Sequence, residues 1–156
     1  MPDESARPSW FVIIPPPVWA LAFVFASIAI GHLLQLETPL RHQASGLALF
    51  VLGFLTAASG RLAFAKVGAE IRPASKKNST LVINGPFRYS RNPMYLGLVI
   101  AMAGIALVIG TWVSFASAVL FFCFVNWISI PYEEAKMERQ FGEAFAAYKR
   151  SVRRWV

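Results

Sequence analysis

Two polar clusters stand at the two ends of a long uncharged stretch, and their side chains are the best candidates for chemistry in this chain. Residues 92–132 carry no charged side chain over 41 positions. Arg88 and Arg91 precede this stretch, and Glu133 and Glu134 follow it. Arginines suit a ligand carboxylate or phosphate, whereas paired acids suit a ligand ammonium. Because so long an apolar stretch can cross a bilayer twice, we expect both clusters at the same membrane face.

Each cluster also has a purely structural interpretation, and the residue types alone leave both open. Asn92 is a favoured helix cap and Pro93 a favoured first helical residue, so the pair can simply begin a helix. The same helix start presents free N–H groups and partial positive charge, which suits an anion. Glu133 and Glu134 can likewise complement the dipole of the helix that follows them instead of binding a cation.

Four further polar side chains have two interpretations each. Tyr89 and Tyr95 are either interfacial aromatics or the walls of a pocket for an aromatic base. Arg61 either extends to the membrane interface or points into the bundle, toward a substrate carboxylate. Asn126 needs a partner across helices, as packing contact or as ligand group. The single cysteine, Cys123, forms no disulfide within the chain, and we predict no metal site.

The composition indicates what must position these clusters. The chain has 156 residues, 56% of them hydrophobic and 15% charged, and its mean hydropathy is positive. A soluble domain of this size has too little interior to hide so much apolar surface, so the excess faces lipid. The net charge of +7 lies in short basic segments beside apolar runs, which favours membrane orientation over nucleic-acid binding. We predict one membrane domain over residues 1–156.

Four apolar segments predict transmembrane helices. The first has 19 residues, roughly 28 Å of helix, close to the hydrocarbon thickness. Three prolines end at Pro17 and predict that this helix begins near Val18. Gly110-Thr111 predicts a tight turn, and Pro131 predicts an end or a kink. The predicted spans are 18–36, 44–65, 94–109 and 112–130.

The C-terminal segment has a different pattern. Apolar residues recur every three or four positions with charges between them, which predicts an amphipathic helix over 133–155. It is too charged to cross, so we expect it on the membrane surface or packed over the 66–93 loop, with Gly142 weakening its middle. The predicted fold is an all-α integral membrane protein with about four transmembrane helices and a C-terminal amphipathic cytoplasmic helix. The apolar positions are Met137, Phe141, Phe145, Tyr148, Val152 and Trp155.

Lysine and arginine counts predict the orientation. The segment 66–91 holds six of them and the C-terminal segment holds another six, whereas the loop between the first two spans holds only Arg41. Because cytoplasmic loops carry the excess of positive charge, we expect both termini and the loop 66–93 at the cytoplasmic face. The two polar clusters then share that face.

The motifs together resemble the isoprenylcysteine carboxyl methyltransferase family, which is related to the membrane phospholipid N-methyltransferases. The resemblance is close over about residues 80–155, and the first two spans are similar to the short prokaryotic members. The motifs are Gly85-Pro86-Phe87-Arg88-Tyr89, Arg91-Asn92-Pro93-Met94-Tyr95-Leu96-Gly97, Pro131 with Glu133-Glu134, and Phe141-Gly142 with Tyr148.

The resemblance implies a membrane methyltransferase that uses S-adenosyl-L-methionine, in the cytoplasmic (inner) membrane of a prokaryote. Its methyl acceptor would be a lipophilic or small molecule. By charge, the cofactor carboxylate suits the helix start at Pro93, and its ammonium suits Glu133 or Glu134. We predict catalytic roles for Arg91, Glu133 and Glu134. The predicted cofactor-binding residues are Thr80, Leu81, Val82, Tyr89, Asn92, Pro93, Met94, Tyr95, Gly97 and Glu133.

Two positions depart from the family pattern. Asn92 stands where the family usually has a histidine, and it can hydrogen-bond but cannot act as a general base. Ser129 stands where the prenylcysteine enzymes have an arginine near the acceptor carboxylate; Arg61, Arg91 and Arg139 are the candidate substitutes. The acceptor stays open among a carboxylate, a phospholipid amine, a thiol and an isoprenoid-like lipid. The alternative function is a non-catalytic membrane protein of the same fold, a lipid-binding or assembly subunit.

Overall fold

The computed structural model describes residues 14–66 and 80–156, and most of these residues are helical. The basic positions Arg72, Lys76 and Lys77, which were counted for the orientation, lie outside the described residues. The α-helices are α1 (Pro16–Leu34), α2 (Gln43–Lys66), α3 (Pro93–Ile109), α4 (Trp112–Phe124), α5 (Ile130–Phe141) and α6 (Glu143–Ser151). A 3-10 helix at Gly85–Arg88 precedes α3, and a π-helix at Val125–Ser129 joins α4 to α5.

The prediction of an all-α membrane protein is confirmed. The helix α1, the helix α2 and the continuous helical stretch Trp112–Phe141 are each long and apolar enough to cross a bilayer. The helix α3 is equally apolar but has 17 residues, about 25 Å, which is at the short end for a span. Large apolar side chains cover the outside of the bundle, as lipid contact requires; Phe25 is 67% exposed and Leu33 is 80% exposed.

The helix starts follow the local chemistry, with one correction. The helix α1 begins at Pro16, two residues before the predicted Val18. The first amides of a helix have no partner within it, so prolines in the first turn remove no hydrogen bond. The predicted turn before α4 is confirmed: Gly110 has a φ of +71°, and Thr111 caps the helix by accepting a hydrogen bond from the Ser114 amide at 3.2 Å.

The helix continues through Pro131, so the predicted helix end there is wrong, whereas the alternative of a kink stays a prediction. The π-helix makes this possible, because the Ile130 amide donates to the Val125 carbonyl five positions earlier. Pro131 has no N–H for the next bond of this kind, which would go to the Asn126 carbonyl. The guanidinium of Arg154 donates to that carbonyl instead, at 3.3 Å.

The helix predicted over 133–155 is two helices in the structure. Gly142 separates α5 from α6 with φ +51° and ψ −124°, a conformation that glycine adopts at little cost. The second helix turns back over the loop, and Phe145 and Tyr148 are buried there against Val82 and Phe87. Of the two predicted locations, the structure therefore shows packing over the loop. After Ser151 the chain has no regular secondary structure and bends at Val152 and Arg154.

Glycines allow α2 and α3 to pack with their backbones in contact. Gly46, Gly53 and Gly60 recur every seven residues along α2 and are all buried. A methyl group at Gly53 would lie 2.5 Å from the Gly97 carbonyl oxygen and would overlap the Ala101 amide nitrogen. Small residues are the usual way for membrane helices to approach closely. This pair is the rigid base on which the first residues of α3 are held.

Replacing Gly53 with alanine tests this packing. The added methyl group must push the two helices apart, so Gly53→Ala should lower the free energy of unfolding by about 1–3 kcal/mol. The control is Leu52→Ala on the same helix, since Leu52 is 54% exposed on the lipid-facing side. Thermal unfolding of the purified protein in detergent measures both variants. Equal losses of unfolding free energy in Gly53→Ala and Leu52→Ala would contradict close backbone packing between α2 and α3.

Candidate functional site

Three charged residues of the two polar clusters, Arg91, Glu133 and Glu134, line one cleft at the end of the bundle. The cleft encloses about 80 Å³, which is smaller than the usual small-molecule site of about 300–1,000 Å³. Its walls come from the end of α2, the segment 80–92, the start of α3, and the helices α5 and α6. The lining residues are Phe64, Thr80, Leu81, Val82, Phe87, Arg91, Asn92, Pro93, Met94, Tyr95, Glu133, Glu134, Met137, Phe145 and Tyr148.

Most of the predicted site residues line this cleft, but two do not. Tyr89 follows the 3-10 helix with its side chain directed outward, and it is 77% exposed. Gly97 faces α2, where a methyl group would lie 2.5 Å from the Gly53 carbonyl oxygen and 2.7 Å from the Ala57 Cβ. Sequence proximity to Arg91 and Pro93 suggested both residues, but the 3-10 turn and the helical rotation of α3 direct them elsewhere.

Glu134 is held between two arginines. Its Oε1 accepts hydrogen bonds from Arg91 Nε at 3.2 Å and Nη2 at 2.8 Å. Its Oε2 accepts from Arg154 Nη2 at 2.9 Å. The Glu134 side chain is buried, with 11% of its surface exposed. A carboxylate with both oxygens committed to guanidinium groups has little capacity for a ligand cation.

Arg91 makes further bonds to the end of α6. Its Nη1 donates to the Val152 carbonyl at 2.7 Å and to the Lys149 carbonyl at 3.2 Å. The last carbonyls of a helix lack partners within it, so this arginine caps α6. The structure thus gives Arg91 and Glu134 extensive protein contacts. Their predicted catalytic roles stay predictions.

Glu133 is in a different environment from its neighbour. The Tyr95 hydroxyl donates to Glu133 Oε1 at 2.8 Å, and both residues line the cleft. This partner is a neutral phenol, so the bond orients the carboxylate without neutralising it. A carboxylate offers about four lone-pair positions, and a hydrogen bond from one phenol leaves room for a cationic donor.

Asn92 begins α3 but does not cap it. The residue occupies the N-cap position, yet its side chain makes no cap hydrogen bond within the helix. Its Nδ2 donates instead to the Arg154 carbonyl at 3.1 Å. Pro93 and Met94, the first residues of the helix, line the cleft. The positive end of α3 is therefore part of the cleft wall, as the sequence predicted.

Aromatic and apolar side chains complete the walls, and the sequence analysis did not assign them to a site. The rings of Phe64 and Phe87 meet edge to face, with their centroids 5.2 Å apart. Met137 and Phe145 come from the two C-terminal helices. The apolar stripe of the C-terminal segment predicted that Met137 and Phe145 are buried, but it did not identify the surface against which they pack. Such walls suit a flat aromatic ligand group.

Three polar residues considered in the sequence analysis lie outside the cleft lining. Arg61 is exposed on α2, in keeping with extension to the membrane interface. Ser129 is buried in the π-helix, with 5% of its surface exposed. Asn126 has the cross-element partner that was expected for it, because its Oδ1 accepts from Trp155 Nε1 at 3.0 Å.

Tyr148 fastens α6 over the cleft. Its hydroxyl donates to the Phe87 carbonyl at 2.7 Å. Burial raises the pKa of Tyr148 to about 12, and the nearby positive charge of Arg91 only partly opposes this rise. The neutral phenol is therefore the form that the folded protein favours.

The raised pKa of Tyr148 predicts a loss of stability at high pH. A pKa above the ordinary value of 10.0 in the folded state means that the stabilisation is complete below pH 10 and is lost as the pH rises to about 12. Tyr148→Phe should lack this component and should lose about 1 kcal/mol at neutral pH with the hydrogen bond. Unfolding midpoints between pH 8 and pH 12 measure the difference. If the unfolding midpoints of the wild type and of Tyr148→Phe fell in parallel with pH, Tyr148 would not be the group responsible for the loss of stability.

The two neighbouring glutamates should differ in their effect on stability. Glu134→Gln leaves two arginines without their shared carboxylate, so the free energy of unfolding should fall by about 3 kcal/mol. Glu133→Gln keeps an acceptor for Tyr95 and should cost no more than about 1 kcal/mol. Thermal unfolding in detergent compares them. If Glu133→Gln lowered the free energy of unfolding more than Glu134→Gln, the conclusion that Glu134 is the more important residue for stability would be wrong.

The fold and the cleft define an all-helical membrane protein with a polar and aromatic cleft at one end of its bundle. The chain belongs to the phospholipid methyltransferase family, whose model matches residues 41–144. The resemblance to membrane methyltransferases is confirmed at this level, and the family indicates a membrane methyltransferase. An uncharacterised protein of Haemophilus influenzae is similar, with 32% identity over 63 residues, which is 40% of this chain and all of that protein. No solved structure matches the chain significantly.

Proposed function

We propose that this protein transfers a methyl group from S-adenosyl-L-methionine to a lipophilic acceptor at the membrane edge of the cleft. The observation that supports this most strongly is that Glu133, whose carboxylate accepts a hydrogen bond from a neutral phenol, lines the same cleft as the first residues of α3. A site for a zwitterion needs both a carboxylate and an anion-binding helix start. In a membrane methyltransferase family, the cofactor is the zwitterion to expect.

The residues of the cleft fit each part of that cofactor. Glu133 suits the ammonium group, because the carboxylate of Glu134 is already committed to two arginines. The helix start at Pro93 and Met94 suits the carboxylate group. The aromatic and apolar walls suit the adenine ring. This distribution favours Glu133, the glutamate in the predicted cofactor-binding set, whereas charge alone left Glu133 and Glu134 both open.

The protein contributes orientation and exclusion of water. The cofactor, when bound, supplies a methyl group on a positively charged sulfur, which needs no covalent nucleophile from the protein. Glu133 balances positive charge in the cleft, and the 2.8 Å bond from Tyr95 holds its carboxylate in one orientation. The buried side chains of Phe145 and Tyr148 cover the cleft and exclude water from it.

The side chains that line the cleft favour a methyl acceptor without a carboxylate. Arg61 and Arg139 are exposed and do not line the cleft, and Arg91 is bonded to Glu134 and to α6. Ser129 carries no charge. The described cleft therefore has no free arginine for an acceptor carboxylate, which distinguishes this protein from the prenylcysteine enzymes. An amine, a thiol or another neutral lipid group remains compatible with the walls.

We also propose that the cleft faces the cytoplasm, with both termini on that side of a prokaryotic inner membrane. The basic residues Arg88 and Arg91 before α3 and those of the C-terminal segment lie at the cleft end of the bundle. The opposite end, between α1 and α2, holds only Arg41. The positive-inside tendency supports this orientation.

Calorimetric titration of purified protein with S-adenosylhomocysteine tests the cofactor site. The wild type should bind, and Glu133→Gln should weaken binding by roughly tenfold or more, because a charge-assisted hydrogen bond is lost. The matched control is Glu143→Gln, whose side chain is 81% exposed and pairs with Arg150 on the surface. No binding by the wild type would sink the proposal. Equal binding by Glu133→Gln would remove only the role of Glu133.

Mass spectrometry of lipids addresses the acceptor. Cells with the protein should contain a lipid that is heavier by one methyl group than its counterpart in cells lacking the protein. The control strain produces Glu133→Gln at the same level. The wild-type strain could lack the methylated lipid, as the Glu133→Gln strain should, although the purified wild-type protein binds the cofactor. A non-catalytic or lipid-binding protein of the same fold would then be the better account.

A further inference from the structure

One residue near the end of the chain, beyond residues 41–144 that match the family, connects three separate segments around the cleft. Arg154 contacts the segment before α3, the π-helix and α5. We propose that Arg154 is a positioning residue, which sets the geometry of the cleft through Glu134, Asn92 and Asn126. The inference rests on the proposed function, since it concerns cofactor binding in the same cleft.

The guanidinium of Arg154 connects two consecutive helical segments. Its Nη2 donates to Glu134 Oε2 at 2.9 Å, and its Nη1 donates to the Asn126 carbonyl at 3.3 Å. One planar group thus holds a side chain of α5 and a backbone carbonyl of the π-helix. The fixed fork geometry of arginine suits two such acceptors, whereas lysine carries a single point charge.

The backbone of Arg154 holds the segment before α3. Its carbonyl accepts from Asn92 Nδ2 at 3.1 Å and from the Ser90 hydroxyl at 3.3 Å. Asn92 directly precedes Pro93, where the positive end of α3 lines the cleft. The C-terminal segment after α6 therefore positions both the helix start and the glutamate pair, the two features proposed to bind the zwitterion.

The Asn126 carbonyl explains why an arginine is needed here. Pro131 cannot donate the backbone hydrogen bond that this carbonyl would otherwise accept, and an unsatisfied carbonyl at membrane depth is costly. Trp155 adds to the attachment by donating from Nε1 to Asn126 Oδ1 at 3.0 Å. The π-helix thereby stays in one conformation, and the helical rotation between residues directs Glu133 toward Tyr95 once Glu134 is held.

Arg153 provides a matched control one residue away. Its side chain is exposed, and its described hydrogen bond uses only the backbone carbonyl, which accepts from the Arg91 amide at 3.0 Å. Arg153→Ala therefore removes the same charge and the same side chain from the same segment. This substitution should leave the contacts of the Arg154 guanidinium with Glu134 and Asn126 intact.

The test is a calorimetric titration of the full-length protein in detergent with S-adenosylhomocysteine. Arg154→Ala should raise the dissociation constant by roughly tenfold or more with the binding stoichiometry unchanged. Arg154→Lys should fall between this variant and the wild type, since it restores only the charge. Arg153→Ala should stay within about twofold of the wild type, as surface substitutions usually do.

The stoichiometry separates a positioning role from a loss of folded protein. If Arg154→Ala lowers the number of binding sites while the remaining sites keep the wild-type affinity, the residue acts only on folding and the inference is overturned. An unchanged affinity and stoichiometry also overturn it, while wild-type binding leaves the proposed function intact. Absence of binding by the wild type overturns both.

Hydrogen exchange supplies a second measurement that needs no ligand. The Arg91 amide donates to the Arg153 carbonyl, so its exchange reports whether the C-terminal segment stays attached. Arg154→Ala should accelerate exchange in a peptide covering residues 90–92, but not in a peptide from the middle of α2. Unchanged protection of residues 90–92 would overturn the inference.

Discussion

The ion pairs around Glu134 are the interaction on which the rest of the cleft depends. A single carboxylate on α5 is shared by Arg91, before α3, and by Arg154, near the C-terminus. Burying charged groups is costly unless good geometry and further hydrogen bonds compensate. Here the remaining donors of both arginines reach backbone carbonyls at Val152 and Asn126. Three segments that are distant in sequence are thereby fixed to one another.

The two adjacent glutamates have different hydrogen-bond partners because of helical rotation. Neighbouring residues on a helix point about 100° apart, so Glu133 and Glu134 face different partners. Glu134 meets two cations and stabilises the fold, whereas Glu133 meets the phenol of Tyr95 inside the cleft. Glu134 therefore has a structural role through its ion pairs with Arg91 and Arg154, whereas ligand binding by Glu133 stays a prediction.

The sequence was sufficient for the parts of the fold that depend on local chemistry. The length of the uncharged stretch predicted a two-helix hairpin, and hence that the two polar clusters lie at the same end of that hairpin. Helix starts at Asn92-Pro93 and the turn at Gly110 followed from backbone preferences. The structure shows each of these features.

Long-range contacts account for what the sequence did not predict. The π-helix before Pro131 depends on Arg154 reaching a carbonyl 28 residues earlier. The break at Gly142 was noticed as a weak point, but its direction depends on burial of Phe145 and Tyr148 against the loop. Tyr89 and Gly97 were assigned to the site by their place in a motif, yet side-chain direction excludes them from the cleft lining.

Transfer of a labelled methyl group tests the central claim most directly. Membranes containing the wild-type protein are incubated with S-adenosylmethionine labelled on its methyl group, and the lipid extract is counted. Label should enter the extract with the wild type, while membranes with equal amounts of Glu133→Gln should give only the background of cells lacking the protein. Equal incorporation by the wild type, the variant and the empty membranes would contradict the account.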